Sequence, residues 1–526
     1  MNSLKWVLAY SSLTAIWLNS ASPEDSVPPI RISRETTFLV SPIRDDGRVD
    51  YIAALNQQLQ KDVTPENNSA VMFRRAIGHS DLSVETTDEY FRMLGIEVLP
   101  GDGPYLHDLD RFLDSLPEFA SSEDRGDRYK QRQPVKKQRD TANSRPWTRE
   151  EFPLLARWVD ANKTPLQFGI EGSQRPKYFV PLMPARDSLV GSMSIASRGT
   201  REVSELLRVR AMLYLGEGCF DVAWQDVLAM HRIARLIAQG PGYLDTLIGI
   251  AIESSACRCD EQIVNHSGMD SQFARECLQD FRKLGLIDGL ADRIDIGGRY
   301  EYLDSIQHVS RSDHEELERI NFRFIFRGDK ALADFVRTRL RFRAVDVDTM
   351  LIIGNSWFDR YTDATHKSTR TARTKEISQL DEERAVLLDD VKKLVLAGRN
   401  LTREESSRIV GGAFLNGIFP LVAMFFDSQD KCAMGTELSQ CAFALAAWNA
   451  DHGEYPNDLA LLLPEYLTSI PIDRFNDKPL TYQRTETGYC LYSVGENLED
   501  DGGMTIFDRV RIRGKEADDI AVRTLD

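Results

Sequence analysis

Residues 437–503 read ELSQCAFALAAWNADHGEYPNDLALLLPEYLTSIPIDRFNDKPLTYQRTETGYCLYSVGENLEDDGG. Leu438, Cys441, Ala442, Leu445 and Trp448 recur at three- and four-residue steps, so the stretch opens as an amphipathic helix. Gly453 stands where its C-cap belongs. Tyr455-Pro456 then turns the chain, and Asn457 is placed to cap a short helix carrying Leu459, Leu462 and Leu463. Pro464 and Pro471 force extended connections. Residues 478–482 and 488–493 read as the two strands of a hairpin, with the turn near 485–487. An acidic, glycine-rich loop follows over 494–503, and residues 506–512 and 519–522 are candidate closing strands. The expectation is a small α+β module over 409–526, in which one helix shelters an antiparallel sheet.

Working outward, the chain upstream is expected to be mainly α. Residues 51–59 place Ile52, Leu55 and Leu59 on one helical face. Thr64-Pro65-Glu66 offers an N-cap for a second helix that carries Val71, Met72, Ala76 and Ile77 and ends at Gly78. Residues 203–215 hold Leu206, Leu207, Ala211, Tyr214 and Leu215 at helical spacing, and Gly216 and Gly218 break the pattern. A second helix carries Phe220, Ala223, Trp224, Val227, Met230, Ala234 and Ile237. Gly240-Pro241-Gly242 ends it, and a third runs through Leu244, Leu247, Ile248, Ala251 and Ile252. The small residues around Gly218 and Ala223 resemble one tetratricopeptide hairpin. Stacked arrays need at least three copies, so a helical hairpin inside a larger bundle is expected. Residues 370–397 form a charged helix with Ile377, Leu380, Leu387, Val391 and Leu394 inward. In 320–343 the alternation Phe322, Phe324, Phe326 suggests a half-buried strand. The arginines around it are expected to pair with carboxylates. Residues 409–426 carry no charge; the expectation is a kinked core helix, with a membrane segment as the other reading.

The organisation expected is therefore a signal peptide or N-terminal anchor at 1–22, a helical segment at 23–120, a polar basic linker or loop at 121–147, a helical body at 148–408 and the module at 409–526. In the first segment Lys5 precedes an apolar run interrupted by Ser11-Ser12-Leu13-Thr14. This fits a secretory signal or an uncleaved anchor, against an ordinary buried helix.

Four short elements of the tail, Tyr455-Pro456, Ile470-Pro471-Ile472-Asp473, Tyr492-Ser493-Val494-Gly495 and Asp500-Asp501-Gly502-Gly503, together resemble the globular end of the major pseudopilin of type II secretion systems. The resemblance runs from near Pro420 onward. It implies a helical spine with a small antiparallel sheet on its end, and calcium in the loop after the Ser-x-Gly segment. Carried over by position, the calcium ligands are Asn497, Asp500 and Asp501, with Glu499 less apt. Oxygen donors on a glycine-flexed loop suit a hard cation; the other reading is a solvated turn whose aspartates cap backbone amides. The whole chain also resembles large bacterial proteins that carry such a tail behind a helical body, on Asn67-Asn68, Pro146-Trp147-Thr148-Arg149-Glu150-Glu151 and Asn355-Ser356-Trp357-Phe358-Asp359-Arg360. No activity comes with that resemblance.

The formal net charge of -16 disfavours nonspecific adhesion to nucleic acid or anionic lipid, so no nucleic-acid partner is expected. Seven cysteines are few and lack zinc-ribbon spacing, which makes buried apolar thiols the simplest reading. No Gly-x-Ser-x-Gly, P-loop, His-Glu-x-x-His or dinucleotide glycine motif is present. His231 lies in a helical stripe and His452 beside a helix end, so both are expected to be structural. The reading that follows is an exported, periplasmic or membrane-associated structural or interaction protein with protein partners. Membrane association would run through the N-terminus or 409–426. The rival is an extracytoplasmic, hydrolase-like enzyme whose site is assembled in the helical body.

Overall fold

The computed structural model describes residues 30–120, 125–183, 189, 198–398, 400–419, 421–508, 510–512 and 515–524. The N-terminal 1–22 expectation lies outside them. Helix accounts for 61% of the described residues, and a small three-strand antiparallel sheet stands near the C-terminus, so the mainly α expectation holds.

The principal helices in chain order are α1 (Tyr51–Leu59), α2 (Ser69–Ile77), α3 (Arg125–Ala142), α4 (Arg198–Gly216), α5 (Phe220–Ile237), α6 (Tyr243–Val264) and α7 (Ser271–Lys283). They continue as α8 (Arg299–Arg311), α9 (Lys330–Arg341), α10 (Val347–Thr365), α11 (Arg370–Leu396), α12 (Arg403–Ile418) and α13 (Ala423–His452). Strands β1 (Thr481–Arg484), β2 (Tyr489–Ser493) and β5 (Ile520–Arg523) form the sheet in the order β1-β2-β5. A separate ribbon pairs β3 (Arg511–Ile512) with β4 (Lys515–Glu516).

The described residues divide into two compact units, neither continuous in sequence: those within 30–57, residue 189 and those within 291–423 make one, and those within 58–183, 198–290 and 424–524 the other. The stretches 148–408 and 409–526 each contribute described residues to both units, the second dividing after Ala423. Interhelical contacts across hundreds of residues set these boundaries, and local periodicity does not report them.

In the first unit α8, α10, α11 and α12 pack together around Tyr302, Met350, Phe358, Tyr361 and Phe414. Ile409, Val410, Ala413, Phe414 and Leu415 are buried within it, as a core helix requires. Further along the same segment Leu421 and Met424 are exposed. Thr402 and Glu405 form a capping box that starts α12. The strand expected at Phe322–Phe326 is helical instead: Asn321 caps the short helix Phe322–Ile325, and after it Asp329 caps α9. Phe322 and Phe326, four apart, stack at 6.1 Å and both present to Phe414 edge-on. Helical i,i+4 pairing on a buried ring outweighs the period-two alternation.

In the second unit α4, α5 and α6 form the expected run of antiparallel helices. Gly218, at φ +75°, makes the first turn, and Gly249 lets α6 close on α5, where a Cβ would sit 2.5 Å from the Ala234 carbonyl. The cap of α2 is Asn68 rather than Thr64; its Oδ1 accepts from the Ala70 amide at 3.1 Å. The expected linker is also corrected. Residues 125–142 are the helix α3, with Val135 and Ala142 buried. Two of its cations are paired: Arg132 reaches Asp110 at 3.3 Å and also Asp114, and Lys136 reaches Asp110 at 2.8 Å. In the C-terminal module β1 pairs with β2 across the turn at 485–488. Tyr489, Leu491 and Val522 face the core that α13 lines with Leu438, Cys441, Ala442 and Leu445.

Candidate functional site

Helix α6 carries Glu253 and Asp260 on its buried side. Seven residues apart, they share one helical face. On α5, His231 and Arg235 are four apart and likewise share a face. The two faces meet. His231 Nδ1 lies 2.8 Å from Glu253 Oε2, and its Nε2 lies 3.3 Å from Asp260 Oδ1. Arg235 donates to both Glu253 oxygens, at 2.7 and 3.0 Å, and Thr436 of α13 donates to Glu253 Oε1 at 2.8 Å. Trp224, Phe281 and Phe443 wall the cluster, with the Phe281 ring 4.9 Å from the imidazole.

His231, Glu253 and Asp260 are completely inaccessible to solvent. Burial alone would strip the proton from His231, but the Glu253 and Asp260 carboxylates outweigh it and push the imidazole up to about 9. Burial opposes ionisation of Glu253 too, and His231 with Arg235 holds that carboxyl well below its usual range. For Asp260 burial wins, and its carboxyl is raised. The neighbouring Cys257 and Cys432 thiols are pushed up by burial, which makes them poor nucleophiles. Chemically the cluster can hold a proton and lock three helices. It cannot meet a substrate without opening the core.

The polar motifs quoted from the sequence are fasteners of the same kind. Asn68 brackets Phe179, accepting from its amide at 3.0 Å and donating to its carbonyl at 2.9 Å. Trp147 donates its indole N–H to the Val209 carbonyl at 3.2 Å, and Gly216 leaves no room for a side chain against the Trp147 backbone. Asn355 and Asp359, four apart on α10, take the buried Arg299 guanidinium at 3.2 and 2.8 Å. In the C-terminal module Asp473 joins two motifs: it accepts from Ser493 Oγ and from the Val494 amide, each at 2.9 Å. That bond fixes the end of β2 against the Pro-Ile-Asp turn.

The calcium candidates lie in the loop after β2. Asn497 donates to Asp501 at 3.0 Å and accepts from the Glu499 amide; Asp500 accepts from the Tyr492 hydroxyl at 2.9 Å. Asp501 Oδ2 also accepts from the Asp518 amide at 3.1 Å. The three side chains are thus engaged with the loop itself. Sequence reasoning missed Asp518 and Asp519, which the chain returns to this loop; one buried carboxylate oxygen of each lacks a hydrogen-bond partner. Burial, with Asp501 and Asp500 alongside, pushes Asp519 up to about 6. Among the described residues no group of three or more His, Cys, Asp or Glu side chains is arranged to hold a metal ion.

Sequence reasoning also missed Arg235, Glu253, Asp260, Thr436 and Arg299. The available signal was ionisable residues at i,i+4 or i,i+7 spacing inside otherwise apolar helices. No family model, curated protein or solved structure matches this chain.

Proposed function

We propose that this chain is an exported or membrane-associated structural or interaction protein, whose helical body presents partner surfaces and whose pseudopilin-like module caps it. One observation carries the reading: the most strongly perturbed ionisable cluster, His231 with Glu253 and Asp260, is sealed at zero exposure and cross-links three helices. Catalytic groups with shifted pKa values sit in clefts; this set sits in a core. The polar motifs that resemble those of other large proteins are spent on internal hydrogen bonds, which supports the same reading. The test is fractionation of cells that make the full chain, with cross-linking in place, beside a screen of ester, glycoside and peptide substrates. The expected result is protein in the periplasmic or membrane fraction, cross-linked to a defined partner. Turnover of any such substrate, abolished by one side-chain substitution, overturns the proposal.

We further propose calcium as a ligand of the acidic loop. The donor chemistry supports it, since Asp518 and Asp519 hold oxygens with no hydrogen-bond partner and burial opposes their ionisation. Asn497, Asp500 and Asp501 would complete the set by exchanging loop hydrogen bonds for the cation. A ligand that binds only the folded state raises its melting midpoint. Excess calcium should therefore raise the midpoint of the parent by about 2–4 °C and leave an Asp500→Ala/Asp501→Ala variant unmoved. Equal midpoints for both, with calcium and with chelator, reject the site.

A further inference from the structure

A groove of about 470 Å³ runs between α4 and α6 in the second unit, closed on its far side by Leu106, Leu109, Trp158 and the end of α3. Its floor is one face of α6, where Leu244, Leu247, Ile248 and Ile252 recur at helical spacing, and Leu244 is 45% exposed. Successive helices joined by short turns alternate in direction, so α4 and α6 run parallel. Arg208 on α4 therefore reaches the same end of the groove as Ser255 on α6.

That end is polar and incompletely matched. Arg208 Nε, Arg139 Nε and Asn143 Oδ1 are buried without hydrogen-bond partners, and all three residues line the groove. The wall holds three carboxylates, Asp108, Glu202 and Glu205: Glu205 pairs with Arg201 at 3.0 Å, and Asp108 accepts from the Arg111 amide at 2.8 Å. Arg208 makes no ion pair among the described residues. Arg258, which donates to Ser255 Oγ at 3.0 Å, makes none either, and Arg208 adds like charge beside it. An apolar trough that ends in unneutralised guanidinium is complementary to an amphiphile with an anionic head.

We propose that the groove binds a linear long-chain carboxylate, its chain on the Leu244, Leu247, Ile248 and Ile252 face and its head on Arg208. The volume falls within the range of about 300–1,000 Å³ typical of small-molecule sites. From Leu244 to Ser255 the helix rises about 16 Å, the extended length of a dodecanoyl chain. A helical peptide about 10 Å across would need more than twice the volume over that length. A single guanidinium supplies the bidentate geometry that a carboxylate accepts.

The test titrates the full chain with dodecanoate by calorimetry, with dodecan-1-ol and dodecylammonium as parallel arms. Dodecanoate is expected to bind saturably at one site. Arg208→Gln should weaken it about tenfold or more, the size of a lost charge-assisted hydrogen bond, while Arg208→Lys retains part of the affinity. Leu244→Glu, at a half-exposed position, should weaken it similarly without changing the melting midpoint. No saturable binding to the parent overturns the proposal. So does equal binding by both loss variants, or an alcohol or ammonium arm that matches dodecanoate.

Discussion

At the residue scale, the geometry makes His231 a keystone that acts through its charge. A buried ion pair contributes little net stability over an apolar core, but removing one partner strands the other and costs about 3–5 kcal/mol. The imidazole is held near 9 in the folded chain against about 6.5 when exposed. A folded-state value above the unfolded one means that the contribution is complete below pH 6.5 and lost as pH rises through 9. His231→Gln should therefore destabilise the second unit by about 3–5 kcal/mol at pH 6, and the gap to the parent should narrow toward pH 10. Urea unfolding followed by tryptophan fluorescence reads this, since Trp224 packs 6.3 Å from the imidazole. A gap that is absent at pH 6, or constant across the range, contradicts the charged clamp. His231 was legible as a structural residue in a helical stripe. Its carboxylate partners, 22 and 29 residues onward, were not, because nothing local fixes how two helices rotate against each other.

At the element scale, legibility followed the strength of local punctuation. The α4–α5–α6 run and the β1–β2 hairpin are readable because apolar periodicity and the glycine or proline breaks between α4, α5 and α6 agree, while outer ends such as Arg198 and Val264 carry no such mark. Helix α3 reads as a solvated linker because its cations outnumber its aliphatics; the residues it packs on, around buried Val135 and Ala142, and its partners Asp110 and Asp114 lie outside the segment. The Phe322–Phe326 alternation reads as a strand, whereas Asn321 caps a helix there. Phe414, nearly a hundred residues away, receives Phe322 and Phe326 on one helical face, a contact that no local pattern reports. In the C-terminal module Asp473 and Ser493 were each noticed as motif members, and the bond between them explains why both motifs occur in one chain.

At the scale of the whole molecule, the distribution of charge bears on a nucleic-acid partner. The net charge of -16 is not spread evenly: residues 321–345 hold seven Arg or Lys against two Asp, beside Phe324 at 83% exposure. Aromatic side chains next to arginines are what single-stranded nucleic acid stacks upon. Much of that positive charge is nevertheless used internally. Arg337 reaches Asp334 at 3.4 Å and lies over Phe322, Arg343 donates to the Ser310 carbonyl at 2.8 Å, and Arg339 stacks on Phe335. Affinity for nucleic acid scales with the number of phosphates neutralised and falls steeply with salt. The remaining exposed arginines are few, and the acidic surroundings repel the same phosphates within a Debye length of about 8 Å at physiological salt. The full chain should therefore give no mobility shift with single- or double-stranded oligonucleotides at physiological ionic strength. A shift that survives there and disappears in an Arg323→Glu/Arg327→Glu variant would make this patch a nucleic-acid surface and displace the structural reading.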